Sequence, residues 1–131
     1  MNIMVAYDGS DEAKDALKLA QDHLKSFGGK IKVVKSVTRT HPLDHSVIQA
    51  AEEELEREIR HQLNGDENSY ETRLVVSSNS TGKNIIWFAE IVEVDEIIIG
   101  ARKRSKVGKL LLGSTAQYVV LHAPCPVITI K

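Results

Sequence analysis

The sequence predicts an α/β fold in which helices cover both faces of a doubly wound, five-stranded parallel sheet. Five short runs rich in β-branched residues alternate with four longer segments of helical periodicity, and this alternation is typical of parallel sheets. The consecutive isoleucines Ile97–Ile99 indicate a strand buried on both faces, as a central parallel strand is. No Gly/Ser-rich or Pro-rich linker divides the 131 residues, so we expect residues 1–131 to form one domain.

The first strand and the first helix are marked by an apolar run and a helical stripe. The run Asn2–Tyr7 is mostly apolar and ends at a turn of Asp, Gly and Ser. Ser10 or Asp11 caps the following helix, and the pair Gly28–Gly29 ends it. Apolar residues on one face of this helix are Ala13, Ala16, Leu17, Ala20, Leu24 and Phe27.

The middle of the chain predicts two further strand–helix pairs. Ile31–Val37 is a β-branched run, and a second helix extends from 44 to 63. Its apolar stripe, which we expect to face the core, consists of Val47, Ile48, Ala51, Leu55, Ile59 and Leu63. Glu71–Val76 forms the third strand, and a broadly apolar third helix runs from about Gly82 to Val92.

The last third predicts two strands and one helix. Val94–Ile99 is the fourth strand, and a fourth helix runs from 113 to about 122, where Pro124 ends it. The fifth strand is Pro126–Lys131. We expect Cys125 to be buried at the start of an interior strand rather than reactive.

Composition excludes several classes of protein. The 17 basic and 18 acidic residues sum to a net charge of −1, which argues against a nucleic-acid binder or a polybasic membrane anchor. No apolar run approaches the roughly 20 residues of a membrane span, and the start of the chain lacks the basic region of a secretory signal. One cysteine allows no intrachain disulfide. We therefore expect a cytoplasmic protein.

The loop after the fourth strand predicts an anion site. It begins at Gly100, and its basic residues are Arg102, Lys103, Arg104, Lys106 and Lys109. Gly113 and Ser114 then open a helix, whose free N–H groups and positive dipole favour a phosphate. Two plainer interpretations remain open: the basic cluster is a solvated surface loop, and Ser114 forms a capping box with Gln117.

Asp8 is the second candidate, because ligands of such sheets bind beyond the carboxyl ends of the strands where the strand order reverses. Its carboxylate suits a ribose, a base or a metal, although Asp8, Gly9 and Ser10 also form a plausible turn into a capped helix. The chain has no P-loop, Gly-x-Gly-x-x-Gly or Gly-x-Ser-x-Gly motif. No nucleophile is placed beside a base, so no catalytic residues are predicted.

The opening segment Val5–Ser10, the glycine-serine loop and the ending Pro124–Ile130 resemble the universal stress protein family over essentially the whole chain. The resemblance implies a Rossmann-like sheet, similar to that of adenine nucleotide α-hydrolases, with strand order 3-2-1-4-5. It also implies a homodimer that pairs the last strands, here around Val127–Ile130.

The nucleotide-binding members of this family carry the pattern Gly-x2-Gly-x9-Gly-Ser/Thr. Gly100, Gly113 and Ser114 match it, whereas Lys103 occupies the place of the second glycine. Lys103 either blocks the phosphates or, with a neighbouring arginine such as Arg102, binds them by charge. The resemblance places four further residues around the base and ribose, namely Ala6, Tyr7, Asp8 and Ser36. It also places Asn79 in the loop after the third strand, where asparagine can adopt a left-handed turn.

The expected function is that of a regulatory, ATP-binding stress-response protein, with Mg²⁺ held through the phosphates and hydrolysis at most slow. Two alternatives remain open. One is a dimeric signalling module of the same fold that binds no nucleotide, and the other is a small hydrolase or nucleotidyl-transferring enzyme of related architecture.

Overall fold

The computed structural model describes residues 1–64, 69–101 and 112–131. The strands are β1 (Asn2–Ala6), β2 (Lys30–Thr38), β3 (Tyr70–Ser77), β4 (Glu96–Gly100) and β5 (Val127–Ile130). The helices are α1 (Asp11–Phe27), α2 (His45–Gln62), α3 (Thr81–Val92) and α4 (Ser114–His122). Within the described ranges, no helix combines the length and apolar character that crossing a membrane requires.

The five strands form one parallel sheet in the order β3-β2-β1-β4-β5. The chain therefore builds outward from β1 to one edge, returns to the centre and builds outward again through β4 and β5. The order reverses between β1 and β4, and in sheets of this kind a crevice lies beyond the carboxyl ends of the strands at that point. The predicted fold class and strand order are confirmed.

Helices cover both faces of the sheet, and the alternation along β1 shows how. Ile3 and Val5 point into a core formed with α1 and α2. Met4 and Ala6 point the other way, into a core formed with α3 and α4. Ile3, Met4 and Val5 are all fully buried, so the central strand is apolar on both faces because each face meets a helix layer.

The first turn of α1 is fixed by a cap and by close packing. Ser10 is the N-cap, and its Oγ accepts a hydrogen bond of 3.1 Å from the Ala13 N–H, which confirms the predicted start of this helix. A Cβ at Gly100 would lie 2.7 Å from the Cβ of Glu12, closer than carbon atoms approach. Glycine is therefore required at the end of β4 so that α1 can begin directly beside it.

Helices α3 and α4 also approach each other through a glycine. A Cβ at Gly82 would lie 2.8 Å from Cδ1 of the Tyr118 ring. The aromatic ring thus occupies the space that a side chain on α3 would need, and the first turn of α3 is held against the middle of α4. Tyr118 in turn stacks on His122, with ring centroids 4.1 Å apart.

The predicted core stripe of α2 is only half correct. Leu55, Ile59 and Leu63 are buried, but Val47 is 51% exposed, and Ile48 and Ala51 are only partly buried. Periodicity identifies the apolar face of a helix, whereas burial depends on how far the neighbouring elements extend. The first half of α2 therefore contributes little to the core.

The expectation for Cys125 was also wrong. Because β5 lies at the edge of the sheet, Cys125 precedes an edge strand rather than an interior one, and it is half-buried. Partial burial raises the pKa of its thiol, and the carboxylates of Asp95 and Glu96 raise it further. The thiol is therefore held in its protonated, weakly nucleophilic form.

Glu93 ends α3 in a left-handed conformation, with φ of 50° and ψ of 59°. This conformation strains an L-residue but not glycine. We expect Glu93→Gly to raise the free energy of unfolding by about 0.5–1 kcal/mol, measured by urea denaturation. Glu90→Gly is the matched control: it lies exposed within the same helix, so it should lower stability by about 1 kcal/mol. A loss of stability in both variants would contradict the assignment.

Candidate functional site

A cavity of about 300 Å³ lies at the carboxyl edge of the sheet, where β1 and β4 diverge. The first turns of α3 and α4 close its other side. The predicted site residues that line it are Ala6, Tyr7, Asp8, Ser36, Gly100 and Gly113. Residues from β1, β2, β4 and α4, far apart in the sequence, therefore meet around one space.

One predicted site residue in the described ranges, Ser114, does not line this cavity, and two others lie outside those ranges. Ser114 is the first residue of α4 and is exposed, but its neighbour Thr115 lines the cavity instead. Arg102 and Lys103 lie outside the described residues. Their proposed role in binding phosphates remains a prediction from the sequence.

Seven lining residues were not identified from the sequence, namely Val34, Lys35, Thr81, Ile85, Ile99, Thr115 and Ala116. The apolar members have the appearance of ordinary core residues in a strand or helix. The available signal was positional, since most of them lie in the carboxyl half of a strand or in the first turns of α3 or α4, and these ends face the crevice in a parallel sheet.

The cavity wall has an apolar part and a polar part. Val34, Ile85 and Ile99 are buried and present hydrocarbon surface. The polar part is more accessible and includes the carboxylate of Asp8 and the Thr115 side chain. A small ligand with one flat apolar portion and one charged portion suits this division.

Asp8 forms a turn and also lines the cavity. Its Oδ1 accepts hydrogen bonds from the Ser10 N–H at 3.0 Å and from the Ser10 hydroxyl at 2.6 Å. Gly9 takes the positive φ of 85° that this turn requires. The other oxygen, Oδ2, accepts no hydrogen bond from the residues that the structure describes. The turn interpretation is therefore correct, and it is compatible with a binding role because one oxygen is held while the other is free.

Tyr7 lies at the end of β1, but its ring belongs to the core beneath α1 and α2. Its hydroxyl donates a hydrogen bond of 2.5 Å to Oε1 of Glu58 on α2. Burial raises the pKa of the phenol above its usual range, and the hydrogen bond and charge of Glu58 raise it further. The phenol therefore stays neutral. Because the ring packs on the α1–α2 side of the sheet, the backbone of Tyr7, rather than its ring, faces the α3–α4 side of the cavity.

The N-terminus of α4 has no side-chain cap from the residues that the structure describes. Its N-cap is Gly113, and no side chain there accepts from the first turn. The capping box between Ser114 and Gln117 is therefore wrong, because the cap lies one residue earlier and Ala116 occupies the third helical position. The N–H groups of this first turn and the positive end of the helix dipole lie beside the cavity, which is an arrangement suited to an anion.

A chain of polar side chains lies behind the cavity wall. The Ser77 hydroxyl donates to Oδ1 of Asn84 at 2.7 Å, and Nδ2 of Asn84 donates to Oγ of Ser36 at 2.9 Å. Asn79 does not adopt the left-handed turn that was expected, since Glu93 is the only non-glycine residue with positive φ in the described ranges. Instead, the Asn79 N–H donates to Oγ of Ser77 at 3.0 Å, which shapes this loop by a hydrogen bond.

A doubly wound parallel sheet with a crevice at its switch point, flanked by an uncapped helix N-terminus, defines a class of α/β proteins suited to phosphorylated ligands. Within that class, the chain belongs to the universal stress protein family, whose family model matches residues 1–131.

Individual relatives agree with this membership. A universal stress protein of Thermus aquaticus, from the region 3′ of a QAH/OAS sulfhydrylase, is 28% identical over 98% of this chain and 97% of its own length. The structure of a universal stress protein from Archaeoglobus fulgidus is 36% identical, with a TM-score of 0.79 over 100% of this chain and 98% of that one. A structure of the universal stress protein from Archaeoglobus fulgidus in complex with dAMP is 32% identical, with a TM-score of 0.74 and the same coverage.

The contact between Tyr7 and Glu58 predicts a dependence of stability on alkaline pH. The pKa of this phenol is raised in the folded state above its ordinary value of 10.0. Its contribution is therefore fully present below pH 10 and is lost as the pH rises further, because the unfolded chain ionises first. Tyr7→Phe removes this dependence and, by losing the hydrogen bond, lowers the free energy of unfolding at neutral pH by about 1–2 kcal/mol.

Urea denaturation of both proteins, in steps from neutral pH to above pH 10, measures this effect. Tyr7→Phe should be less stable at neutral pH, and the gap should narrow in alkali. Parallel stability curves across that range would contradict the assigned contact.

Proposed function

We propose that the cavity binds an adenine nucleotide, with ATP as the physiological ligand. The observation that carries the proposal is the combination of buried apolar walls and an uncapped α4 N-terminus around one space at the sheet's switch point. A solved relative that is 32% identical was crystallised with dAMP, which supports an adenine nucleotide over other anions. The volume of about 300 Å³ lies at the lower end of the range for small-molecule sites, about 300–1,000 Å³.

Each part of a nucleotide has a matching surface in this cavity. The base packs against Val34, Ile85 and Ile99, whose burial makes them good partners for a flat ring. Oδ2 of Asp8 accepts a hydrogen bond from a ribose hydroxyl.

The phosphates meet the first-turn N–H groups of α4, beside Gly113 and Thr115. Gly100 lines the cavity at the end of β4, and we place Ser114, Arg102 and Lys103 near the phosphate end by the sequence pattern. Mg²⁺ would be held through the phosphates and would neutralise part of their charge.

We propose binding and regulation rather than catalysis. In the described part of the lining, the phenol of Tyr7 is neutral and bonded to Glu58, and one Asp8 oxygen is bonded to Ser10. Neither group is placed as a general base beside a nucleophile. Any hydrolysis of ATP at this site would accordingly be slow.

We further propose a homodimer formed through β5. This strand is the outer edge of the sheet, and its apolar residues Val127, Ile128 and Ile130 are only half-buried. The exposed side chains Val120 and Leu121 of α4 precede it. An unpaired apolar edge pairs readily with a second copy. A dimeric module that binds no nucleotide is the second candidate, because Lys103 replaces a glycine of the phosphate pattern.

The nucleotide site is tested by Asp8→Asn. Asparagine retains an oxygen for the turn with Ser10 but replaces Oδ2 with an amide that donates. Isothermal titration with ATP and Mg²⁺ should show about tenfold weaker binding than the wild type. Asp15→Asn, an exposed change of the same kind on α1, should leave the affinity unchanged.

Two outcomes would contradict the site. Equal affinity of Asp8→Asn and the wild type would remove Asp8 from it. At about 1 mM ATP even a Kd of about 1 mM, a binding free energy of about −4 kcal/mol, would register. No binding by the wild type under that condition would instead favour the dimeric module.

The dimer is tested by a proline on the edge of β5. Ile97 and Ala101 donate to the carbonyls of Pro126 and Ile130, so the backbone of these alternate residues faces β4 and that of Thr129 faces outward. Thr129→Pro therefore removes an outward N–H without breaking the pairing with β4. Sedimentation velocity should show a dimer for the wild type and a monomer for this variant. A variant that remains dimeric would exclude pairing through β5.

A further inference from the structure

Asn84 is a buried polar residue that neither the fold nor the proposed function explains. It lies on the otherwise apolar face of α3 and is 3% exposed, although an apolar residue would pack there without needing partners. Buried polar groups are costly unless they are hydrogen-bonded. Its two partners are Ser77 and Ser36, of which Ser36 lines the cavity.

The hydrogen bonds that link Asn79, Ser77, Asn84 and Ser36 have a defined direction. The Asn79 N–H donates to Oγ of Ser77, so this hydroxyl accepts there and gives its single proton to Oδ1 of Asn84. With its oxygen used, the carboxamide presents its amino group to Ser36, and Oγ of Ser36 accepts. The proton of the Ser36 hydroxyl has no acceptor among the described residues.

We infer that Asn84 is a positioning residue that makes the Ser36 hydroxyl a hydrogen-bond donor to the bound ligand. This inference rests on the proposed function and specifies it. Ser36, on β2, shares the cavity with Val34 and Ile85, which are the apolar groups assigned to the base. The ligand therefore presents an unprotonated acceptor, such as a ring nitrogen, at the edge of the base that faces β2.

An adenine ring offers three such acceptors, N1, N3 and N7, and analogues that replace each nitrogen by C–H keep the shape of the ring. The experiment measures the affinities of ATP and of its 1-deaza, 3-deaza and 7-deaza analogues for the wild type and for Ser36→Ala. We expect at least one analogue to bind the wild type about three- to tenfold more weakly than ATP. Ser36→Ala should bind that analogue and ATP equally well.

Asn84→Asp tests the positioning role. A carboxylate in place of the carboxamide accepts the Ser36 proton, so the hydroxyl no longer donates to the base. The ratio of the affinities for ATP and for the sensitive analogue should then fall to about one. A merely structural role for Asn84 would leave this ratio unchanged. If this variant fails to fold, the Ser36→Ala comparison decides by itself.

Thr72→Ala is the matched control, since it removes a hydroxyl from the neighbouring strand β3 that bonds to Glu56 and does not line the cavity. Thr72→Ala should prefer ATP over the sensitive analogue by the same factor as the wild type. Two results would overturn this inference and leave the proposed function standing. One is equal affinity of the wild type for ATP and all three analogues. The other is a preference of Ser36→Ala for ATP over the sensitive analogue that is as large as that of the wild type. Absence of ATP binding to the wild type would overturn both.

Discussion

The close approach of α1 to the end of β4 is the constraint on which the rest of the structure depends. At Gly100 the two backbones leave no room for a Cβ, which would lie 2.7 Å from Glu12. Because α1 begins at this point, the chain must turn within a few residues of the end of β1. The Asp8–Ser10 turn and the Ser10 cap make this change of direction. The cavity opens at this same edge of the sheet, and Gly100 is part of its lining.

The wall of the cavity is thin, and each part of it is held by a helix layer behind it. On the α2 side, Glu58 holds the phenol of Tyr7 and thereby the end of β1. On the α3 side, Asn84 holds Ser36 of β2. Both contacts join residues about fifty positions apart, at sequence separations of 51 and 48. The carboxyl ends of the neighbouring strands β1 and β2 are thus each anchored to a helix, on opposite faces of the sheet.

Most of the architecture could be predicted from the sequence, because strand runs, helical stripes and the Ser10 cap are local signals. The strand order came from the resemblance to a family. The cavity residues Asp8, Gly100 and Gly113 could be placed because parallel strands put their carboxyl ends together. The exposure of Val47 could not be predicted, since a stripe shows which face of a helix is apolar and not what covers that face. Asn84 gave no local signal, because its partners meet it only in the folded chain.

The contact between Gly82 and Tyr118 joins α3 and α4, the two helices whose first turns close the cavity. Trp87 is the chain's single tryptophan, and it stands 55% exposed on the outer side of α3. The indole is therefore partly exposed to solvent one helical turn after Lys83, on the same helix as Ile85 in the cavity wall. The tryptophan emission of this protein therefore comes from one exposed position on α3, the helix that also supplies Ile85 to the cavity wall.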